Sequence, residues 1–286
     1  MPTQLLRHEI PTASSPEALE ILHGSLTRSI DRLENSPSGF NRTFDSSLTF
    51  ARSLCATDAT VSRLQTWEAF ISAMQVGSAL FNAAVISEGT VDCRIADKVR
   101  VIPAVGPQYY ANAGNWIKAF WLAAVCRESS RMDQLSRFPI SLLRASGAGY
   151  DEYIYHWVDS LQTYWQEDPR LVDKLIVTID TSYPDVAGNT DRELLEKILY
   201  QPINLFHRFL RKDHDGFNEA LVEALEHHRQ YWTANAQRAD SAEGAVALGP
   251  LAIACLAYDS GFPIDVESDY LPRALLHRFW VGEFET

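Results

Sequence analysis

The residues best suited to chemistry lie in the histidine-rich segment 207–228. Metal ligands and acid–base groups are drawn from the residue types found here: His207, Asp213, His214, Asp215, His227 and His228. Their spacing argues against a site, because no HExxH or equivalent ligand pair occurs and His228 falls on an apolar helical stripe. A metal-dependent helical hydrolase using this segment is therefore the alternative interpretation, not the leading one.

The sequence contains no other motif typical of a catalytic site. The glycines at 147 and 149 are not preceded by a predicted strand or followed by Lys and Ser or Thr, which excludes a phosphate-binding loop. The sequence also lacks the GxSxG pattern of a nucleophile elbow. We therefore expect no catalytic residue, no metal site and no cofactor, and we expect the protein not to be an enzyme.

Acidic side chains after Gly149 suggest binding instead. In a predicted helix over 151–166 the apolar residues share one face, and Asp151, Glu152 and Asp159 fall on or beside the opposite, exposed face. A second acidic group follows in a loop stiffened by prolines, where little entropy would be lost on binding. The predicted partner-binding residues are Asp151, Glu152, Asp159, Asp265, Glu267, Asp269 and Tyr270. A C-terminal segment that packs on its own helices remains the competing interpretation of that loop.

The charge distribution supports a basic partner. The formal net charge is -12, with 14 Lys/Arg and 13 Asp/Glu up to Gly149 but 11 Lys/Arg and 24 Asp/Glu after it. Such a field repels nucleic acid and anionic lipid and speeds encounters with basic proteins at low salt. An ordinary solvated acidic surface would have the same composition.

The elements that carry these residues are mostly helices. Apolar residues recur every three or four positions in segment after segment, and a long helix beginning near residue 61 is predicted to be central. The one strand signal is an alternating, β-branched hairpin near residues 90–102. We therefore predict an all-α fold of two packed helical lobes, 1–105 and 106–286, which could also form one continuous domain.

Composition limits the cellular setting. No uninterrupted apolar run approaches the roughly 18 residues of a membrane helix, and the N-terminus lacks a secretion signal. The four cysteines contain no CxxC pair, which favours reduced, buried thiols over disulfides or zinc. We expect a cytoplasmic protein whose oligomeric state the sequence leaves open.

Four stretches in order carry a family resemblance: residues 67–81, 114–128, 203–221 and 249–272. Through them the chain resembles, almost end to end, the bacterial immunity proteins of family forty-nine, which accompany polymorphic toxins. The segment 269–272 also looks like the end of other helical immunity proteins that neutralise nuclease toxins. The resemblance implies an antitoxin that binds a cognate toxin domain, and it brings no catalytic motif. A regulatory helical scaffold with another partner is a further alternative.

Overall fold

Helices form most of this computed structural model, which describes residues 2–10, 15–283 and 286. Their amphipathic periodicity matches the prediction of a predominantly helical fold. The helices are Pro16–Arg32 (α1), Phe40–Thr57 (α2), Leu64–Val85 (α3), Ala113–Cys126 (α4), Ser129–Ser136 (α5), Ile140–Ala145 (α6), Glu152–Trp165 (α7), Leu171–Thr181 (α8), Arg192–Leu194 (α9), Gln201–Leu210 (α10), His214–Trp232 (α11), Ala236–Ala239 (α12), Leu248–Asp259 (α13) and Arg273–Leu276 (α14). Short 3₁₀ turns lie at Pro37–Gly39 and Ala242–Ala245.

Two small sheets accompany the helices. The predicted hairpin is confirmed: β2 (Thr90–Ile95) pairs antiparallel with β3 (Lys98–Pro103). The expectation of no sheet beyond it is wrong, because β1 (Thr3–Leu5) pairs in parallel with β4 (Val266–Ser268). Strands of three residues are too short for an alternating pattern, so only the folded chain brings these two ends together.

The predicted central helix is α3, of which 16 of 22 residues are buried. It packs against α2, α4 and the hairpin. The approach is close at Gly77, where a Cβ would lie 2.7 Å from the Phe44 ring and 3.1 Å from the Ala119 Cβ. Glycine at this position lets three helices meet at one point of the core.

The core continues without a break into the second half of the chain. Helix α4 packs against both α3 and α13, and buried apolar residues from Leu5 to Leu276 form one connected cluster. The division into lobes at residue 105 stays a prediction about folding units, to be tested by limited proteolysis.

Helix α10 begins after a widened turn. A π-helical turn over Leu195–Leu199 precedes Pro202, which occupies the first turn of α10. Proline has no backbone N–H to donate there, and the first helical turn does not require one. Both a π turn and a proline are common causes of helix bending, and here they lie next to each other in the chain.

One 18-residue stretch, Ala242–Asp259, is long and apolar enough to span a membrane by length and composition. It contains the charged residues Glu243 and Asp259, and 72% of it is buried inside the protein. The stretch combines a 3₁₀ turn with α13, which packs against α4 and α10. Such burial is typical of a core helix.

All four cysteines are free and buried, as the sequence predicts. Burial raises the pKa of the Cys55 thiol to about 12 and that of Cys255 to about 11. Both therefore stay protonated at neutral pH and behave as small apolar side chains.

Candidate functional site

Asp151 does not lie on an exposed helix face. It is 8% exposed and sits just before α7, where it accepts hydrogen bonds from the backbone of Asn189 at 2.9 Å and of Thr190 at 2.8 Å. The Thr190 hydroxyl donates a third bond at 2.6 Å. The expectation of an exposed Asp151 is wrong, because helical periodicity says nothing about a distant loop that folds over the helix start.

The other two acids of α7 are accessible but already paired. Glu152 is exposed and forms a bidentate pair with Arg144 at 2.6 and 2.8 Å. Asp159 accepts a hydrogen bond from Lys174 of α8 at 2.6 Å and is about one-third exposed. Both can still meet a partner, although each would have to share or exchange its present cation.

The C-terminal segment is partly a strand and partly core. Asp265 and Glu267 are exposed and Asp269 is half-buried. Tyr270 is 0% exposed, and its hydroxyl lies 2.8 Å from His8 Nδ1. Its ring packs between the N-terminal segment and α11, so Tyr270 is not on the surface where a partner was expected to contact it.

A surface that the sequence analysis missed lies on α8 and the loop after it. Five of the 13 large apolar side chains exposed in the described part of the chain fall within fifteen positions here. They are Val172, Ile176, Val177, Tyr183 and Val186, which are 64, 52, 41, 56 and 60% exposed. Exposed apolar residues that occur singly are normal, whereas large patches of them are typical of interaction sites.

Acids share this face with the apolar residues. At 100° per residue, Val172, Asp173, Ile176, Val177 and Asp180 span about 140° of the α8 circumference, and Asp185 follows in the loop. All three acids are exposed, and none forms an ion pair within 4.0 Å. We call these eight residues the α8 surface: Val172, Asp173, Ile176, Val177, Asp180, Tyr183, Asp185 and Val186.

Two of the predicted acids, Asp159 and Asp151, help to hold the α8 surface in place. Asp159 binds Lys174 on the flank of α8, and Asp151 fixes the end of the loop at Asn189 and Thr190. Between them, the Ser160 and Thr178 hydroxyls meet at 3.0 Å in the α7–α8 interface. The sequence signal for the surface is the apolar excess of α8, which places large apolar residues on more than one face.

The histidines of the 207–228 segment do not converge. His214 packs on the Phe262 ring, and His227 Nδ1 lies 2.9 Å from Gln201 Nε2. His228 is buried with Nε2 at 3.1 Å from the Gly244 carbonyl, and burial lowers its pKa to about 3. Within residues 2–10, 15–283 and 286, no group of three or more His, Cys, Asp or Glu side chains could hold a metal ion.

Comparison with known proteins places this architecture in a family. The family model described as immunity protein 49 matches residues 57–275, more than half of the chain. That range contains α3 through α13, including the whole α8 surface. No curated protein and no solved structure matches the chain. The chain therefore belongs to the immunity protein 49 family.

Proposed function

We propose that the protein is an antitoxin that binds a cognate polymorphic toxin domain in the cytoplasm through the α8 surface, without catalysis. Membership of the immunity protein 49 family supports the immunity role. The observation that carries the location is the combination of five exposed apolar side chains with three unpaired carboxylates on α8 and the loop after it. Either feature alone would be an ordinary surface.

The apolar residues supply the centre of the proposed interface. Val172, Ile176 and Tyr183 expose more than half of their surface and lose contact with water when a partner covers them. Burying apolar area contributes roughly 25 cal/mol per Å², and few central residues usually dominate binding. The paired acids Glu152 and Asp159 lie on the neighbouring helix α7, and Asp159 contacts α8 through Lys174.

The carboxylates select the partner. Asp173, Asp180 and Asp185 have no cation of their own, so a basic surface brought against them gains attraction without first breaking an ion pair. Nucleases carry positive surface because they hold phosphates. The proposed partner is therefore a basic toxin domain, a nuclease, whose substrate-binding surface the antitoxin covers.

Two charge-matched triple variants test the location. Asp173→Asn/Asp180→Asn/Asp185→Asn removes three charges from the α8 surface, and Asp265→Asn/Glu267→Gln/Asp269→Asn removes three from the C-terminal segment. Association with the toxin encoded beside this gene is measured by stopped-flow kinetics at low and high salt. We expect the α8 triple to slow association about tenfold or more at low salt, with a smaller defect at high salt.

The C-terminal triple is both the control for net charge and the competing location. A larger effect from it would move the interface to the acids predicted from the sequence. Parental association by both variants, or an acidic toxin domain, would contradict the electrostatic account. A failure to capture the neighbouring gene product at all would favour the regulatory scaffold.

A further inference from the structure

A cleft of about 640 Å³ lies between α4, α7, α10 and α11, and the end of the loop after α8 also lines it. Its walls are mainly apolar and aromatic, and they include Trp121, Tyr153, Trp157 and Trp232. The Trp121 and Trp157 rings are 5.9 Å apart, centroid to centroid. Clefts of roughly 300–1,000 Å³ with such walls are typical small-molecule sites.

Two cations line this cleft without a partner. Arg52 Nε is inaccessible to solvent and has no hydrogen-bond acceptor. Lys118 forms no ion pair within 4.0 Å, and the nearby acids Glu243 and Asp45 stay beyond that distance from both cations. Desolvation lowers the pKa of both groups, and the charge of Arg52 lowers that of Lys118 further. The Glu243 and Asp45 carboxylates favour the charged form of both groups, but neither carboxylate forms an ion pair with them within 4.0 Å.

Neutral polar atoms in the same walls also lack partners. Gln201 is 5% exposed, and its Oε1 accepts no hydrogen bond. The hydroxyl of fully buried Tyr153 lies beside Thr190 without a hydrogen bond of normal geometry, and Trp232 Nε1 is also unpartnered. Buried polar groups are nearly always paired in native proteins. These atoms therefore give the cleft donors for an anion and an acceptor for an N–H or O–H group.

His228 and Lys197 do not add to the free positive charge. The low pKa of His228 keeps its ring neutral at physiological pH. Lys197 is paired with Glu193 at 3.1 Å. The unpaired charge of the cleft thus comes from Arg52 and Lys118.

We propose that this cleft binds a small organic anion with a planar ring, whose charge is held by Arg52 and Lys118 and whose ring lies among the aromatic walls. An anion within hydrogen-bond distance offsets the desolvation of both cations, which have no ion-pair partner within 4.0 Å. Ring faces and edges of tryptophan and tyrosine pack well against planar ligands.

Calorimetric titration of the purified full-length chain tests the site. The probes are adenosine monophosphate and indoleacetate, with adenosine, indole and inorganic phosphate as their partial counterparts. We expect at least one ring-bearing anion to bind at one site with a dissociation constant below about 1 mM, and its neutral counterpart and phosphate alone to bind about tenfold more weakly or worse. The preferred probe distinguishes a phosphate from a carboxylate ligand.

Lys118→Met is the decisive variant, and Lys98→Met is its matched control because it removes the same charge from the exposed start of β3. Lys118→Met should lower the affinity for the probe about tenfold or more, whereas Lys98→Met should bind the probe as tightly as the parent does. Without probe, Lys118→Met should melt at or above the parental temperature, since it removes an unpaired, desolvated ammonium group. Binding of neither anion, equal binding of the neutral counterpart or of phosphate alone, or equal affinity in folded Lys118→Met would overturn the proposal.

Discussion

Asp151 links the start of α7 to the loop that follows α8 through three hydrogen bonds. Burial raises the pKa of its carboxyl, but the bonds from Thr190 and Asn189 outweigh burial and hold the pKa below its ordinary value. An ionised carboxylate can accept all three hydrogen bonds. A protonated acid or an amide would instead point one of its own N–H or O–H groups at a donor, and that hydrogen bond would be lost. At the scale of single residues, Asp151 is therefore a support for the α8 surface.

Replacing Asp151 should make the free energy of unfolding less dependent on pH in the acidic range. Because the folded-state pKa is lowered, the contribution of Asp151 is fully present above the unfolded pKa of about 3.9 and is lost as pH falls through the folded value. Asp151→Asn should lower the free energy of unfolding by about 1–3 kcal/mol at neutral pH. The deficit should shrink below about pH 4. Urea unfolding across a pH series measures both effects.

Asp185→Asn is the control for this prediction, because Asp185 is exposed and unpaired in the same loop. Its free energy of unfolding should stay within about 0.5 kcal/mol of the parent. A deficit in Asp151→Asn that persists unchanged at low pH would mean that the carboxylate charge is not what the loop requires.

At the scale of elements, α8 is a helix with one face on α7 and an apolar outer face. Ile176→Ser should weaken toxin binding about tenfold, since truncating a central interface residue costs more than 1 kcal/mol. Its thermal stability should hardly change, because the side chain is already exposed. Val99→Ser on the hairpin, where Val99 is 62% exposed, is the matched control. Equal binding by the two variants would place the interface elsewhere.

Helices α2, α3 and α4 can pack closely because Gly77 has no Cβ atom. Gly77→Ala should lower the free energy of unfolding by about 1–3 kcal/mol, because its Cβ would clash with the buried Phe44 ring. Gly24→Ala, also inside a helix, meets only the Arg28 guanidinium at 3.4 Å. This control should be stabilised by roughly 0.5–1 kcal/mol. Denaturant melts that gave both variants the same sign would contradict the close contact.

At the scale of the whole molecule, the chain ends are tied to the centre. Strand β1 pairs with β4, and Arg7 donates hydrogen bonds to the carbonyls of Cys55 at 2.8 Å, Ala56 at 3.3 Å and Ala245 at 3.4 Å. These carbonyls lie at the end of α2 and before α13, so one guanidinium joins the first residues to both halves.

Arg7→Ala should therefore lower the free energy of unfolding by about 1–3 kcal/mol, because it leaves three carbonyls without their charged donor. Leu6→Ala changes the neighbouring side chain, which is 75% exposed, and should stay within about 0.5 kcal/mol. Thermal melts of the two variants compare the effects directly. If Arg7→Ala left the free energy of unfolding unchanged, the N-terminal segment would not be part of the cooperatively folding unit.

The helical architecture, the hairpin and the buried thiols could all be predicted from the amino-acid sequence. These follow from local patterns: apolar residues every three or four positions, β-branched alternation, and cysteines without paired spacing. The prediction of α3 as the central helix is also confirmed. A long apolar helix is stable only if other elements cover it.

Which acids are exposed, and which face of α8 stays uncovered, depends on long-range contacts in the folded chain. Asp151 and Tyr270 have polar or aromatic side chains of the kind that surfaces use, yet contacts 39 and 262 positions away bury them. Helix α8 has apolar residues on several faces, and its periodicity cannot tell which face a neighbour covers. Burial is set by contacts between residues far apart in the chain, and local spacing carries no information about those contacts.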